Sequence, residues 1–267
     1  MSEDQQVDYA RRFGGIARLY GTHGLEAFHQ AHVCVVGVGG VGSWAVEALA
    51  RSGIGEITLI DLDHIAESNI NRQIHALESQ IGRAKVDAMA ERIREINPQC
   101  KVNRIEEFVE SSNLDRLITV EYSFVIDCID AFKTKTAFIA HCHSKSINIV
   151  TVGGAGGQAD PLKVTLTDLS RSKYDPLLKK LRKQLRKDHQ FPRNPKKRFG
   201  IPCVYSDELP VFPDASGGVC HDKPQKGTSH GLNCGGYGSV TPVTATFGLV
   251  AVSYVLRQLE EGNRQEG

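Results

Sequence analysis

The chain has 267 residues, enough for one large domain with a sizeable buried core. It is 40% apolar and 24% charged with a formal net charge of +1, which excludes a disordered or collagen-like chain and leaves global charge silent about partners. Seven cysteines without one C-x-x-C pair argue against a disulfide scaffold and a four-cysteine zinc site, and the polar N-terminus MSEDQQVDYA has no secretory-leader pattern.

Residues 32–36 (HVCVV) are a short apolar run ending at Gly37 and read as a fully buried strand. A helix is expected over 41–51, then a second strand over 56–63 (EITLIDLD) with acids at its end. Gly82 is expected to open a helix whose Val86, Met89, Ile93 and Ile96 share one face, and Asn97 and Pro98 stop it. Further strands are expected over 101–105, 122–129 (EYSFVIDC) and 147–152 (INIVTV), with a helix over 131–143. Past the glycine run GGAGG the alternation stops, and 162–167 (LKVTLT) reads as one more strand, antiparallel. Strands alternating with helices imply an α/β fold with a doubly wound, mostly parallel sheet. It is read as a single domain over 1–267 with an elaborated C-terminal third, binding ligands at the edge where the strands end. Residues 233–256 contain no charge, and a hydropathy window would flag 240–256 as a membrane span. Their Gly, Thr, Ser and Pro242 favour a buried helix instead, and with it a cytoplasmic protein.

Gly37, Gly39 and Gly42 make G-x-G-x-x-G between the first strand and its helix, with Gly40 inside the same turn. Glycines there permit a tight turn and let backbone N–H groups approach a phosphate at the helix N-terminus. Asp61, 24 residues after Gly37, is placed to accept ribose hydroxyls, which leaves NAD, FAD and ATP all open. The segment ESNINRQ (67–73) adds Asn69, Asn71, Arg72 and Gln73, which a plain dinucleotide site does not need. Arg83 and Lys85 are expected in the first turn of a helix, where cations oppose the macrodipole unless an anionic ligand offsets the cost. Asp127 and Asp130 (VIDCID) end a strand at the ligand edge; such a pair suits Mg²⁺ with phosphate oxygens, unless one caps the following helix, and Asp130 is expected nearer the metal with Asp127 structural or behind it.

Together GVGGVGS (37–43), DLDHIAESNINRQ (61–73), GRAKVDA (82–88) and DCID (127–130) resemble the ubiquitin-activating-enzyme-like adenylyltransferases, whose bacterial members serve molybdopterin and thiamine synthesis. The resemblance covers roughly residues 10–155, with the ATP-binding core at about 30–155. It implies a Rossmann-like adenylation fold and a dimer, with Asp61 on ribose, Arg72 and Lys85 on the phosphates and Asp130 on Mg²⁺. The reaction implied is attack of a carboxylate on the α-phosphorus of ATP. Two departures stand out: the family's paired zinc cysteines are missing, and RRFGGIARLYG (11–21) places Gly15 where relatives carry a crossing arginine.

Residues 173–198 hold eleven Lys or Arg against two acids, a local balance of +9. Leu177, Leu178, Leu181 and Leu185 give the segment a helical stripe, so it reads as a leucine-docked basic helix followed by an extended basic tail. This insertion, about 170–200, offers Lys179, Lys180, Arg182, Lys183, Arg186, Lys187, Lys196, Lys197 and Arg198 to nucleic acid, the alternatives being an anionic membrane surface or a solvated face. It resembles one branch of the family, the tRNA threonylcarbamoyladenosine dehydratases, supported by IPCVYSDE (201–208) and GLNCGGYGSVTP (231–242). That resemblance implies tRNA as substrate and cyclisation of a modified adenosine. Cys234 is the candidate thiol for covalent or sulfur-transfer chemistry with a desulfurase or sulfur acceptor, ahead of Cys203 and Cys220. His141 and His143 lack the i, i+4 spacing of a helical metal pair and read as structural; a monovalent cation site stays open. The competing readings are a sulfur-carrier-protein adenylyltransferase and a non-catalytic scaffold for sulfur transfer. A dehydrogenase would leave Arg72, Lys85 and Asp130 unexplained.

Overall fold

The computed structural model describes residues 8–214, 216–221 and 237–266. Nine strands are described: β1 (His32–Val36), β2 (Glu56–Ile60), β3 (Lys101–Ile105), β4 (Phe124–Asp127), β5 (Ile149–Val152), β6 (Val164–Asp168), β7 (Pro202–Ser206), β8 (Phe212–Pro213) and β9 (Val219–Cys220). The helices are α1 (Tyr9–Gln30), α2 (Gly42–Arg51), α3 (Lys85–Ile96), α4 (Leu114–Leu117), α5 (Phe132–Ser144), α6 (Pro176–Asp188) and α7 (Thr241–Glu266). Seven strands form one sheet in the order β3-β2-β1-β4-β5-β7-β6, parallel except where β6 runs against β7. β8 and β9 make a separate two-stranded ribbon.

Residues alternate across the pleat, so each strand feeds two cores. Val33, Val35, Ile57, Leu59 and Ile126 pack against α2, α3 and α7. Cys34, Val36, Val125, Ile149 and Cys203 face α5 and α6 on the other side. The chain order reverses between β1 and β4, which places the first strand-to-helix turn and the 127–131 turn on either side of one crevice.

The strand expected over 162–167 is β6, antiparallel as read, but its partner β7 comes from IPCVYSDE, which carried no strand expectation. The helix expected from Gly82 starts at Lys85; Gly82 instead has φ +84° in the preceding turn. The charge-free C-terminal stretch contributes to α7, which packs on α2 and α1, and among the described residues no helix is long and apolar enough to cross a membrane. Helix α1 carried no expectation; it is kinked at Gly21, where φ is +77°.

Candidate nucleotide site and basic surface

The glycine turn is shaped by contact as much as by conformation. Gly37 has φ +86°, and a Cβ there would lie 3.0 Å from the Cys128 carbonyl oxygen. At Gly42 a Cβ would overlap the Gly37 carbonyl oxygen at 1.8 Å, so only glycine lets α2 start here. Helix α2 begins without a side-chain cap and without an acid in its first turn. A helix that starts this way carries a partial positive charge at its first turn, here beside the glycines.

Asp61 follows β2 and braces this turn. Its Oδ2 accepts the Val38 N–H at 2.6 Å and its Oδ1 accepts the Asp63 N–H at 2.8 Å. Burial raises the Asp61 carboxyl above its ordinary value, opposed by Lys85 and these two N–H groups. Further lone pairs on each oxygen can still accept hydroxyl donors.

The 67–73 segment covers the turn from the other side. A Cβ on Gly40 would lie 3.4 Å from the Arg72 stem, and one on Gly39 would lie 3.9 Å from Gln73 Nε2. Arg72 is held at its backbone, because its carbonyl accepts the Trp44 indole N–H at 3.0 Å and the Thr244 hydroxyl at 3.3 Å. Its guanidinium donates to Ser68 O at 2.6 Å and Asn71 Oδ1 at 3.1 Å, and is half-buried. Asn71 in turn donates to Ser239 O at 2.8 Å and its carbonyl accepts the Thr241 hydroxyl at 2.7 Å. The start of α7 thus clamps the Arg72 loop, a role that sequence periodicity does not signal. Gln73 is 5% exposed and its Oε1 has no hydrogen-bond partner among the described residues. Asn69 is less free than expected, since its Oδ1 accepts the Ala66 N–H at 3.1 Å and closes the local 3-10 turn.

Lys85 is the first residue of α3 and only 5% exposed, so it is not a solvated surface lysine. Its Nζ lies 2.7 Å from Asp63 Oδ2, so that carboxylate offsets the unfavourable helix end. Arg83 lies outside the helix and forks onto Glu91 at 2.8 and 2.5 Å, away from a phosphate role. Of the two carboxylates, Asp127 is the inner one. It is 0% exposed, its Oδ2 meets Lys135 Nζ at 2.9 Å and the Thr151 hydroxyl at 2.7 Å, and its Oδ1 accepts the Ile129 N–H at 3.1 Å. Both oxygens are consumed, so Asp127 is structural. Asp130 is exposed and no described residue bonds it. Among the described residues no group of three or more His, Cys, Asp or Glu is arranged to hold a metal, so a cation at Asp130 needs phosphate oxygens to complete its shell.

Cys234 lies outside the described residues. Cys203 is fully buried in β7, with its thiol raised by burial, and Cys128, beside Gly37, is pushed up to about 12, so neither supplies a thiolate. His141 Nε2 lies 2.9 Å from the Ile118 carbonyl oxygen and His143 packs on Phe191, in keeping with structural roles.

The basic segment folds as α6 plus a loop between β6 and β7. Leu178, Leu181 and Leu185 are buried against α5, while Leu177 is only half-buried. Burying three leucines gives roughly 5–9 kcal/mol in transfer terms, enough to hold a helix whose outer face repels itself. The tail after it is not extended. Asp168 accepts N–H groups of Phe199 at 3.0 Å and Gly200 at 2.8 Å, Arg171 donates to Lys196 O, and Phe191 stacks edge-on against Phe199. Arg182 donates to Ser172 Oγ, and Arg186 donates to Pro192 O at 3.2 Å and lies over the Phe199 ring. These two arginines therefore build the surface, whereas Lys179, Lys180, Lys183, Lys187, Lys196, Lys197 and Arg198 are exposed on it. At its N-terminus α6 is capped by Asp175, whose Oδ2 also accepts the Gly154 N–H at 2.8 Å. That bond ties the start of the basic helix to the loop after β5, on the same sheet edge as the crevice.

A family model described as the ThiF family matches residues 9–266. The chain belongs to the ThiF family. It is 49% identical over 260 residues to the tRNA threonylcarbamoyladenosine dehydratase of Escherichia coli (strain K12), covering 97% of each chain. It superposes with TM-score 0.90 and 47% identity on the solved structure of TcdA (CsdL), covering 99% of this chain and 100% of that one. A crystal structure of the E. coli dehydratase TcdA in complex with ATP matches at TM-score 0.86 and 47% identity, with 97% of each chain covered. In this ThiF-family chain Asp61 and the Arg72 loop both approach the glycine turn, Lys85 lies near Asp61 and the 127–130 turn meets Gly37, while Trp44 and Thr244, which hold Arg72, and Lys135, which holds the turn before Asp130, fall outside every quoted motif.

Proposed function

We propose that this protein is an ATP-dependent tRNA threonylcarbamoyladenosine dehydratase. The observation that carries the reading is the 49% identity, over 97% of both chains, to an enzyme of that name. A sulfur-carrier adenylyltransferase is the weaker reading, because a small protein tail has no use for the basic surface of α6 and 196–198.

The crevice fits ATP. Gly37, Gly39, Gly40 and Gly42 with the α2 N-terminus receive phosphates, Asp61 accepts the ribose hydroxyls, and the unpartnered Gln73 Oε1 and the loop around Asn69 complete the wall. Arg72 and Lys85 stabilise charge on the phosphates as the bond to pyrophosphate breaks. Asp130 holds Mg²⁺, which when bound neutralises phosphate charge. The substrate carboxylate attacks the α-phosphorus, giving an acyl-adenylate and pyrophosphate. The neighbouring carbamoyl group then attacks the acyl carbon, and AMP leaves with one carboxylate oxygen. Reactants joined in one side chain need no protein nucleophile for that closure. Cys234 is therefore assigned to covalent or sulfur-transfer chemistry outside ring closure, with a desulfurase or sulfur acceptor as partner.

The exposed cations of α6 and 196–198 dock tRNA, which sets the working place of the enzyme in the cytoplasm. We also assign a homodimer, supported by the exposed Leu62, Ile70, Leu77 and Ile81 along one segment. The test is mass spectrometry of nucleosides from threonylcarbamoyladenosine-bearing tRNA after incubation with the protein and Mg-ATP. The reading requires loss of one water from that nucleoside with equal AMP release. An unchanged nucleoside would refute it.

A further inference from the structure

We propose that Lys135 is a positioning residue for the metal-holding carboxylate of Asp130, acting through the 127–130 turn; this rests on the assignment of Mg²⁺ to Asp130. Lys135 lies in the first turn of α5 and is 0% exposed. Its ammonium is spent on one short stretch of chain. It meets Asp127 Oδ2 at 2.9 Å and donates to the carbonyl oxygens of Ile129 at 2.9 Å and Asp127 at 3.3 Å. Asp127 ties the same stretch a second time through the Ile129 N–H, and the Thr151 hydroxyl anchors Asp127 to β5.

Stability alone does not account for this arrangement. A buried ion pair is often no better than an apolar pair of equal volume, because desolvation cancels most of the attraction. What an apolar pair could not do is fix two main-chain carbonyls on either side of Cys128. Asp130 comes next in the chain, exposed and bonded by no described residue, so its direction is set by the turn behind it. The turn is thus ordered before a cation arrives, as with the outer partners that orient metal-binding carboxylates, whose loss typically costs about 10–100-fold in metal affinity or activity.

The test compares Lys135→Met, the charge-balanced double variant Asp127→Asn with Lys135→Met, and Asp130→Asn in the full-length protein. The double variant leaves no unpaired buried charge and so covers the case in which Lys135→Met does not fold. Two quantities are read: hydrogen–deuterium exchange of amides 128–131 without ligand, and the Mg²⁺ concentration giving half-maximal AMP release with modified tRNA. The proposal expects faster exchange confined to the turn and a Mg²⁺ requirement raised about 10-fold or more, with turnover recovering at saturating Mg²⁺. Unchanged exchange, or turnover lowered equally at every Mg²⁺ concentration with an unmoved midpoint, would overturn it. If Asp130→Asn moves the Mg²⁺ midpoint and the Lys135 variants do not, this proposal alone fails. If Asp130→Asn leaves the midpoint where it was, the metal assignment fails and takes the proposal with it.

Discussion

Lys85 shows how one side chain is kept ready for an anion. It is buried, it starts a helix, and its ion-pair partner among the described residues is Asp63, which is itself 54% exposed. A phosphate can replace such a partner without leaving it stranded, because the freed carboxylate already reaches water. Replacing Lys85 or Arg72 by Ala is therefore expected to lower turnover by about 10²–10³, the usual cost of losing one donor to transition-state charge. The melting temperature should stay within a few degrees of the parent. Normal AMP release in either variant would remove the phosphate assignment. His75 gives a second prediction at this scale. It is 3% exposed with neither ring nitrogen bonded by a described residue, and burial, then Lys85 and Arg92, push it down to about 4. The unfolded imidazole charges near pH 6.5 while the folded one stays neutral to about pH 4. Its contribution to stability is full above the first value and is lost as pH falls through the second, on the order of 3 kcal/mol in all. His75→Gln should flatten the dependence of melting temperature on pH across that window by several degrees; equal slopes would contradict this. Gly42→Ala is expected to cost about 2–3 kcal/mol and to abolish ATP binding, because the new Cβ cannot coexist with the Gly37 carbonyl. Chemical denaturation and ATP titration check it.

Among the elements, α6 with its loop is the one whose sequence reading changed most. The leucine spacing marked a docked basic helix, and the three buried leucines agree. The tail after it carried no periodicity, so its packing could not be read; the pins are single long-range contacts, Asp168 to Phe199 and Gly200 above all. Reversing charge at Lys179, Lys180 and Lys183, which are exposed, is expected to weaken tRNA binding and to lower the slope of log affinity against log salt by roughly 0.7–0.9 for each phosphate contact removed. An unchanged slope would exclude this face. Arg182 and Arg186 do not belong in that experiment, because their loss would loosen the surface itself. Asp168→Ala tests the loop separately. It should reduce tRNA affinity while leaving ATP affinity alone, and equal tRNA affinity would show that the loop is not part of the docking surface.

At the scale of the whole molecule, the sheet order sets the glycine turn after β1 beside the 127–130 turn after β4. The parallel half was legible because its signals are local: apolar strands of five residues, a helical stripe from Val86 to Ile93, and glycines fixed by turn chemistry. The far edge was not, since β7 pairs with β5 and β6 across more than thirty residues of basic insertion. What fixes Asp127 was hidden for a related reason. Its partner Lys135 is eight residues on, in a helix, and nothing in VIDCID distinguishes a carboxylate buried on a lysine from one open to a metal. Helix α7 read correctly as buried, yet its clamp on the Arg72 loop comes from Ser239, Thr241 and Thr244, which carry no pattern. The account as a whole stands on two cations, from separate segments, meeting one triphosphate. The direct measurement is a crystal structure of this protein with Mg²⁺ and a non-hydrolysable ATP analogue. It should show the Lys85 ammonium drawn off Asp63 and onto phosphate oxygen, with the Arg72 guanidinium on the same group. Phosphates bound while Lys85 still holds Asp63 and Arg72 still faces Ser68 would contradict it.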